Sequence, residues 1–128
     1  MTPEHPILIV DDDADVRESI EEALEDEGYY VAAAANGREA LELLRDHKLR
    51  PELILLDIMM PEMDGWAFRA EQRKDPDIAT IPVIVFTAHG SPEEVAERMQ
   101  AVGFLRKPLR LEDLLTQVDR LRRQYVNP

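Results

Sequence analysis

Leu53-Ile-Leu-Leu-Asp57 is the stretch on which the reading of the chain turns. Four successive branched apolar residues ending on a carboxylate make a strand covered on both faces, since a half-exposed strand would alternate. Two further runs have the same character, Ile7-Leu-Ile-Val-Asp11 and Val83-Ile-Val-Phe-Thr87. Tyr30–Ala34 and Phe104–Lys107 complete five expected strands.

Helical spacing fills the gaps. Val16, Ile20, Ala23 and Leu24 share one face of a first helix, with Gly28 as its stop. A second opens at Asn36, has Glu39 three residues on, and carries Ala40, Leu41 and Leu44. A third runs from about Asp64 to Lys74. The fourth begins at Ser91-Pro-Glu-Glu94, where a capping hydroxyl, a proline in the first turn and an acidic third position coincide. The fifth places Leu111, Leu114, Leu115, Val118 and Leu121 on one face. Five β–α units argue for an α/β fold, a doubly wound parallel sheet with helices on both sides. Right-handed crossovers leave few topologies, one being the flavodoxin-like order 2-1-3-4-5. In that order strands 1 and 3 are neighbours, and a crevice lies beyond their carboxyl ends.

Length and composition agree with this. The chain has 128 residues, enough for one domain with a core of its own. It holds no cysteine, which removes disulfides and thiolate metal sites from consideration. The 27 acidic residues against 15 basic give a net charge of −12, a surface that repels phosphate backbones, so nucleic-acid binding by this chain is disfavoured. The amino terminus lacks a basic, apolar secretory pattern, and no apolar run is long enough to span a bilayer. The expectation is a cytoplasmic protein with no membrane partner.

The polar residues that end the strands carry the chemistry. Asp11, Asp12 and Asp13 follow the first strand, and Asp57 closes the third. Neighbouring strands lie about 4.8 Å apart, so Asp11 or Asp12 should come close to Asp57. Crowded carboxylates either take up a proton or share a cation, and an all-oxygen pocket suits Mg²⁺. Taken alone, the run Asp11–Asp13 reads first as a solvated helix cap, Asp13 above all. Thr87 and Lys107, at the ends of strands 4 and 5, would each be unremarkable in isolation. Together the four strand ends supply a nucleophile, carboxylates for a metal, a hydroxyl and an ammonium, the parts that phosphoryl transfer needs.

Four stretches resemble the response-regulator receivers of two-component signalling, the CheY-like superfamily: Ile7-Leu-Ile-Val-Asp-Asp-Asp13, Leu55-Leu-Asp-Ile-Met-Met-Pro-Glu-Met-Asp-Gly65, Val85-Phe-Thr-Ala88 and Phe104-Leu-Arg-Lys-Pro108. The resemblance implies the (βα)5 receiver fold in the order 2-1-3-4-5. It implies Asp57 as phosphoacceptor, Asp12 as a direct Mg²⁺ ligand, Asp11 acting through a water, and the Met59 carbonyl as a further ligand. Thr87 and Lys107 would contact phosphoryl oxygens. Phe104 matches the family's switch aromatic, and without a hydroxyl any switching would rest on ring packing. The Lys107–Pro108 bond is expected cis, and the signalling surface is expected on helix 4, strand 5 and helix 5, roughly Ser91 to Tyr125. The implied partners are a sensor histidine kinase or histidine phosphotransfer protein and a downstream protein target, with the domain a monomer or a phosphorylation-dependent homodimer. It would be a phosphoacceptor rather than an enzyme, catalysing only its own phosphoryl transfer and dephosphorylation.

Residues 1–128 are read as a single receiver domain with no output domain, because about twenty residues follow Lys107-Pro108, the length of a last helix. Met59 and His89 flank the site at two positions variable in the family. Gln100 departs from a glycine common before strand 5, and Trp66, Met60 and Met63 read as helix-packing residues. A pseudo-receiver that binds without phosphorylation is the alternative, and the complete set Asp12, Asp57, Thr87 and Lys107 speaks against it. A haloacid-dehalogenase-type phosphatase would need a second aspartate where Met59 stands. A P-loop enzyme lacks its motif, and a flavodoxin would have a phosphate loop where three aspartates stand.

Overall fold

Three runs of buried branched residues set the centre of the sheet. In the computed structural model, which describes residues 5–88 and 90–126 and only the backbone of the last two, they form β1 (Ile7–Val10), β3 (Leu53–Asp57) and β4 (Val83–Thr87), buried throughout. The flanking strands β2 (Val31–Ala34) and β5 (Gly103–Arg106) are only partly buried, as edge strands are. All pairings are parallel and the order is β2-β1-β3-β4-β5. The expected topology is therefore observed. Among the described residues no helix is long and apolar enough to cross a membrane.

The helices are α1 (Ala14–Asp26), α2 (Gly37–Arg45), α3 (Gly65–Lys74), α4 (Pro92–Met99) and α5 (Leu111–Leu121), the last continued by a π-helical turn, Arg122–Val126. Their starts follow from side-chain capping. The Asp13 carboxylate accepts from the Asp15 and Val16 amides, so the capping role of Asp13 is real. Asn36 Oδ1 accepts from the Glu39 amide, and Glu39 Oε1 accepts from the Ala35 amide in return. Ser91 caps α4 through the Glu94 amide. Gly28 ends the α1 turn at φ +90.

One face of the sheet packs on α2, α3 and α4 through Leu8, Val10, Leu44, Ile54, Leu56, Phe68, Val83, Val85 and Met99. The other packs on α1 and α5 through Ile7, Ile9, Ile20, Leu24, Leu55, Phe86, Leu114 and Val118. Alternate residues of each strand serve opposite layers, which is why these strands are apolar without a break.

Several sequence expectations shift. Asp11 and Lys107 lie just past β1 and β5, whose ladders end one residue earlier, Tyr30 lies just before β2, and β5 starts at Gly103. Met60 is buried and Met63 packs on the core, as expected. Trp66 is 37% exposed yet packs toward α4, with the Arg98 guanidinium 5.3 Å from its ring centroid. Gln100 takes up the left-handed conformation itself, at φ +57, so the missing glycine does not alter the turn. His89 and residues 1–4 lie outside the described residues.

Gly65 brings α3 onto the end of β3. Its amide donates to the Ile58 carbonyl at 2.9 Å, and a Cβ there would stand 2.6 Å from the Asp57 carbonyl oxygen and 2.9 Å from Ile58 Cα. Backbone cannot yield as a side chain can. Gly65→Ala is expected to lower stability by about 1–3 kcal/mol, read as a reduced urea midpoint at unchanged m-value.

Candidate functional site: an acidic pocket at the strand ends

Because β1 and β3 are adjacent, with Val10 opposite Leu56, the residues that follow them share one crevice. Asp57 is the last residue of β3 and is 3% exposed; Asp11, directly after β1, is wholly buried. Asp12 stands beside them, exposed. Carboxylate oxygens of Asp11, Asp12 and Asp57 all lie within 4.8 Å of one another.

Among the described residues, Lys107 is the cation paired with this charge. Lys107 Nζ lies 2.9 Å from Asp11 Oδ2 and 3.3 Å from Asp57 Oδ1. Its chain path is set by the Lys107 amide, which donates to the Thr87 carbonyl, and by the cis Lys107–Pro108 bond that follows. The ammonium also sits 5.0 Å from the Phe86 ring centroid. The two aspartates are held by more than this lysine. The Ile58 amide donates to Asp57 Oδ1 at 2.8 Å, the Asp13 amide to Asp11 Oδ1 at 2.9 Å, and Arg17 Nη1 to the Asp11 carbonyl at 2.7 Å.

Proton affinities follow from these neighbours. Burial raises the Asp57 pKa from the ordinary 3.8 to about 6, the Asp11 charge adds to the rise, and Lys107 and the Ile58 amide oppose it. Burial alone would lower the Lys107 pKa, but its hydrogen bond to Asp11 and the charges of Asp57 and Asp11 outweigh that and raise it. Lys107 therefore stays cationic. Among the described residues the pocket has three carboxylates and one ammonium, an excess of negative charge, and the grouped candidate ligands are carboxylate oxygens. That set fits a hard divalent cation.

The remaining expected residues take separate places along the chain. Thr87 is buried at the end of β4, opposite Arg106 of β5. Met59, two residues past Asp57, is 58% exposed at the rim. Phe104 is 39% exposed on the outer face of β5, where it lines a surface groove of about 270 Å³ with Pro92 of α4 and Asp113 and Gln117 of α5. Two supports escaped the sequence reading. Glu62, at φ +66 in the β3–α3 loop, accepts from Asn36 Nδ2 at 2.9 Å and pairs with Arg38 at 3.3 Å. Arg69 and Gln72 are buried on α3, although the helical spacing from Phe68 could have placed both inward.

The pocket's charge excess has a measurable cost. A carboxyl whose folded pKa is raised contributes stability that is fully present below its unfolded pKa, near 3.8, and lost as pH rises through about 6. Asp57→Asn removes that loss. Without divalent metal, the variant is expected to be more stable than the parent at pH 7.5, by up to about 3 kcal/mol. The difference should shrink below pH 6 and vanish near pH 4, as followed by urea unfolding across that range. A pH-independent difference would contradict the electrostatic account.

Known proteins match along the whole of this architecture. The family model of the response regulator receiver domain covers residues 7–119. The response regulator MprA of Mycolicibacterium vanbaalenii is 40% identical over 120 residues, 92% of this chain and 50% of MprA. The chain thus spans about half the length of that curated relative. Among solved structures, the chemotaxis protein CheY4 of Vibrio cholerae is 35% identical with a TM-score of 0.80, over 90% of this chain and 96% of that one. A CheY-like receiver domain protein of Methanospirillum hungatei is 29% identical with a TM-score of 0.83, over 97% of each. The chain belongs to the response regulator receiver domain family.

Proposed function

We propose that this domain accepts a phosphoryl group on Asp57 and passes the event to a protein-binding surface. The observation that carries the reading is a buried carboxylate, 3% exposed, kept beside a second buried carboxylate and within 3.3 Å of a lysine. Such crowding costs stability in the resting protein and suits an anionic group transfer. With its pKa near 6, Asp57 is mostly ionised at neutral pH and attacks phosphorus without a general base. Its oxygen bonds to phosphorus while the donor's bond to phosphorus breaks and the electron pair leaves with the donor. Lys107 keeps its proton and offers it as a hydrogen bond to a phosphoryl oxygen, and the Thr87 hydroxyl serves another. Asp12, Asp57 and the Met59 carbonyl would hold a Mg²⁺ ion, with Asp11 acting through a water. When bound, that ion supplies the positive charge that offsets the incoming phosphoryl oxygens.

The donor in this reading is a sensor histidine kinase or a histidine phosphotransfer protein, met in the cytoplasm. The recipient of the signal is a protein that reads α4, β5 and α5. Thr87 drawn toward the phosphoryl group would open space into which Phe104, now exposed, turns inward, a change between states a few kcal/mol apart. Amide-exchange changes confined to α1 and α2 after phosphorylation would contradict this placement.

Treatment with acetyl phosphate and Mg²⁺ should add one phosphoryl mass to the intact protein, and EDTA should abolish the addition. Asp57→Ala should remain unmodified. Lys107→Ala should slow phosphorylation or leave it without effect on the α4–β5–α5 face, and Asp12→Ala should weaken Mg²⁺ binding most. Modification of Asp57→Ala, or equal modification in EDTA, would overturn the reading.

A further inference from the structure

On α3, helical spacing turns residues 65, 68, 69 and 72 inward, and all four are buried. Two of them are Gly65 and Phe68; the other two are Arg69 and Gln72, polar groups where a core would ordinarily be apolar. Arg69 is 8% exposed and every nitrogen of its guanidinium is engaged. Nε donates to the Met99 carbonyl at 3.0 Å, Nη2 to the Gln100 carbonyl at 3.0 Å, and Nη1 to Gln72 Oε1 at 2.7 Å. Gln72 Nε2 in turn donates to the carbonyls of Ile78 and Ile81, tying the α3–β4 connection to the same network.

The carbonyls that Arg69 takes are those left over at the end of α4. The helix closes by a Schellman arrangement, the Ala101 amide donating to Ala96 and the Gln100 amide to Glu97, around Gln100 in the left-handed conformation. That closure serves neither the Met99 nor the Gln100 carbonyl. Among the described residues no carboxylate pairs with Arg69. What offsets its buried charge is the negative end of the α4 dipole, met by the planar fork of the guanidinium. Arg73 Nη2 adds a bond to Gln100 Oε1 at 2.6 Å, and Trp66 adds its ring contact with Arg98.

These hydrogen bonds and ring contacts between α3 and α4 fall on residues 98–100. The other end of α4 starts at a Ser91 cap after Gly90, where an added Cβ would meet nothing within 4 Å, although Pro92 itself is buried. α3 is itself seated on Ile58 through Gly65. We propose that Arg69 is a positioning residue that pins the carboxyl end of α4 to α3, so that displacement of α4 pivots at residues 98–100 and grows toward Ser91. The phosphorylation reading supplies only the stimulus for that movement; the pin stands on its own contacts.

NMR on the full chain tests both. In the parent protein the Arg69 Nε–H should exchange at least tenfold more slowly than those of exposed arginines. Arg69→Met, similar in volume and without donors, should speed exchange of the Gln100 and Ala101 amides at least tenfold relative to the Ile84 amide of β4. Arg69→Lys should recover only part of that protection. After acetyl phosphate and Mg²⁺, chemical-shift changes in the parent should decline from Ser91 to Gln100. In Arg69→Met they should extend through Ala101, with Asp57 still gaining the phosphoryl mass. An Arg69 Nε–H that exchanges freely, or Arg69→Met with unchanged Gln100 and Ala101 exchange and an unchanged gradient, overturns the pin. Should Arg69→Met fail to fold, the Nε–H measurement decides, repeated in Gln100→Gly, which suits the left-handed turn and removes only the Arg73 contact. Absence of phosphorylation with intact exchange results would remove the functional reading and leave the pin.

Discussion

The contact between Lys107 and the two buried aspartates is the constraint around which the strand ends are arranged. The order β2-β1-β3-β4-β5 puts the residues after β1 next to those that end β3, and both carry carboxylates. Neither Asp11 nor Asp57 has access to enough water to solvate its charge. A single ammonium at 2.9 and 3.3 Å cannot neutralise both, and Asp12 adds a third charge at the rim. Backbone amides of Ile58 and Asp13 reduce the imbalance without removing it. The fold tolerates this because the strands beneath pack their apolar side chains into two buried layers, and that packing fixes where the aspartates emerge.

Much of this frame could be read from the chain. Unbroken Ile, Val and Leu runs identified the three central strands, and short polar side chains before apolar spacing located the helix starts at Asn36 and Ser91. Strand ends were misplaced by a residue because a ladder stops where its neighbour's pairing stops, which is a tertiary fact. Asp11, Asp12, Asp57, Thr87 and Lys107 were legible as a group because parallel topology sends all strand ends to one side. Their roles are a chemical reading of that grouping.

Other features had no local signal. Arg69 and Gln72 find their partners about thirty and up to nine residues away, in carbonyls that any sequence supplies, so composition carries no trace of the match. Trp66 packs between helices without being inward: the inward stripe of α3 runs through 65, 68, 69 and 72, residue 66 falls about 100° away from residue 65, and its ring meets Arg98 of α4. Gln100 looked like a defect where glycine is usual. It is tolerated because its strained backbone is fastened from both sides, by the closure of α4 and by arginines from α3.

The domain therefore contains two polar networks of opposite quality, and they divide its labour. Around Asp57 the charges do not balance, so a bound cation or a covalent phosphoryl group changes the local free energy by several kcal/mol, as buried charge terms do. Around Arg69 every guanidinium nitrogen has an acceptor, and a rearrangement that takes those acceptors away strands a buried cation. A ligand can shift a conformational equilibrium only through interactions that differ between the two states. The unbalanced network can supply that difference; the satisfied one resists it. The first lies at the end of β3, to which Gly65 ties the start of α3, and the second lies about one turn further along that helix, so that in the proposed switch α3 is the fixed reference against which the start of α4 moves.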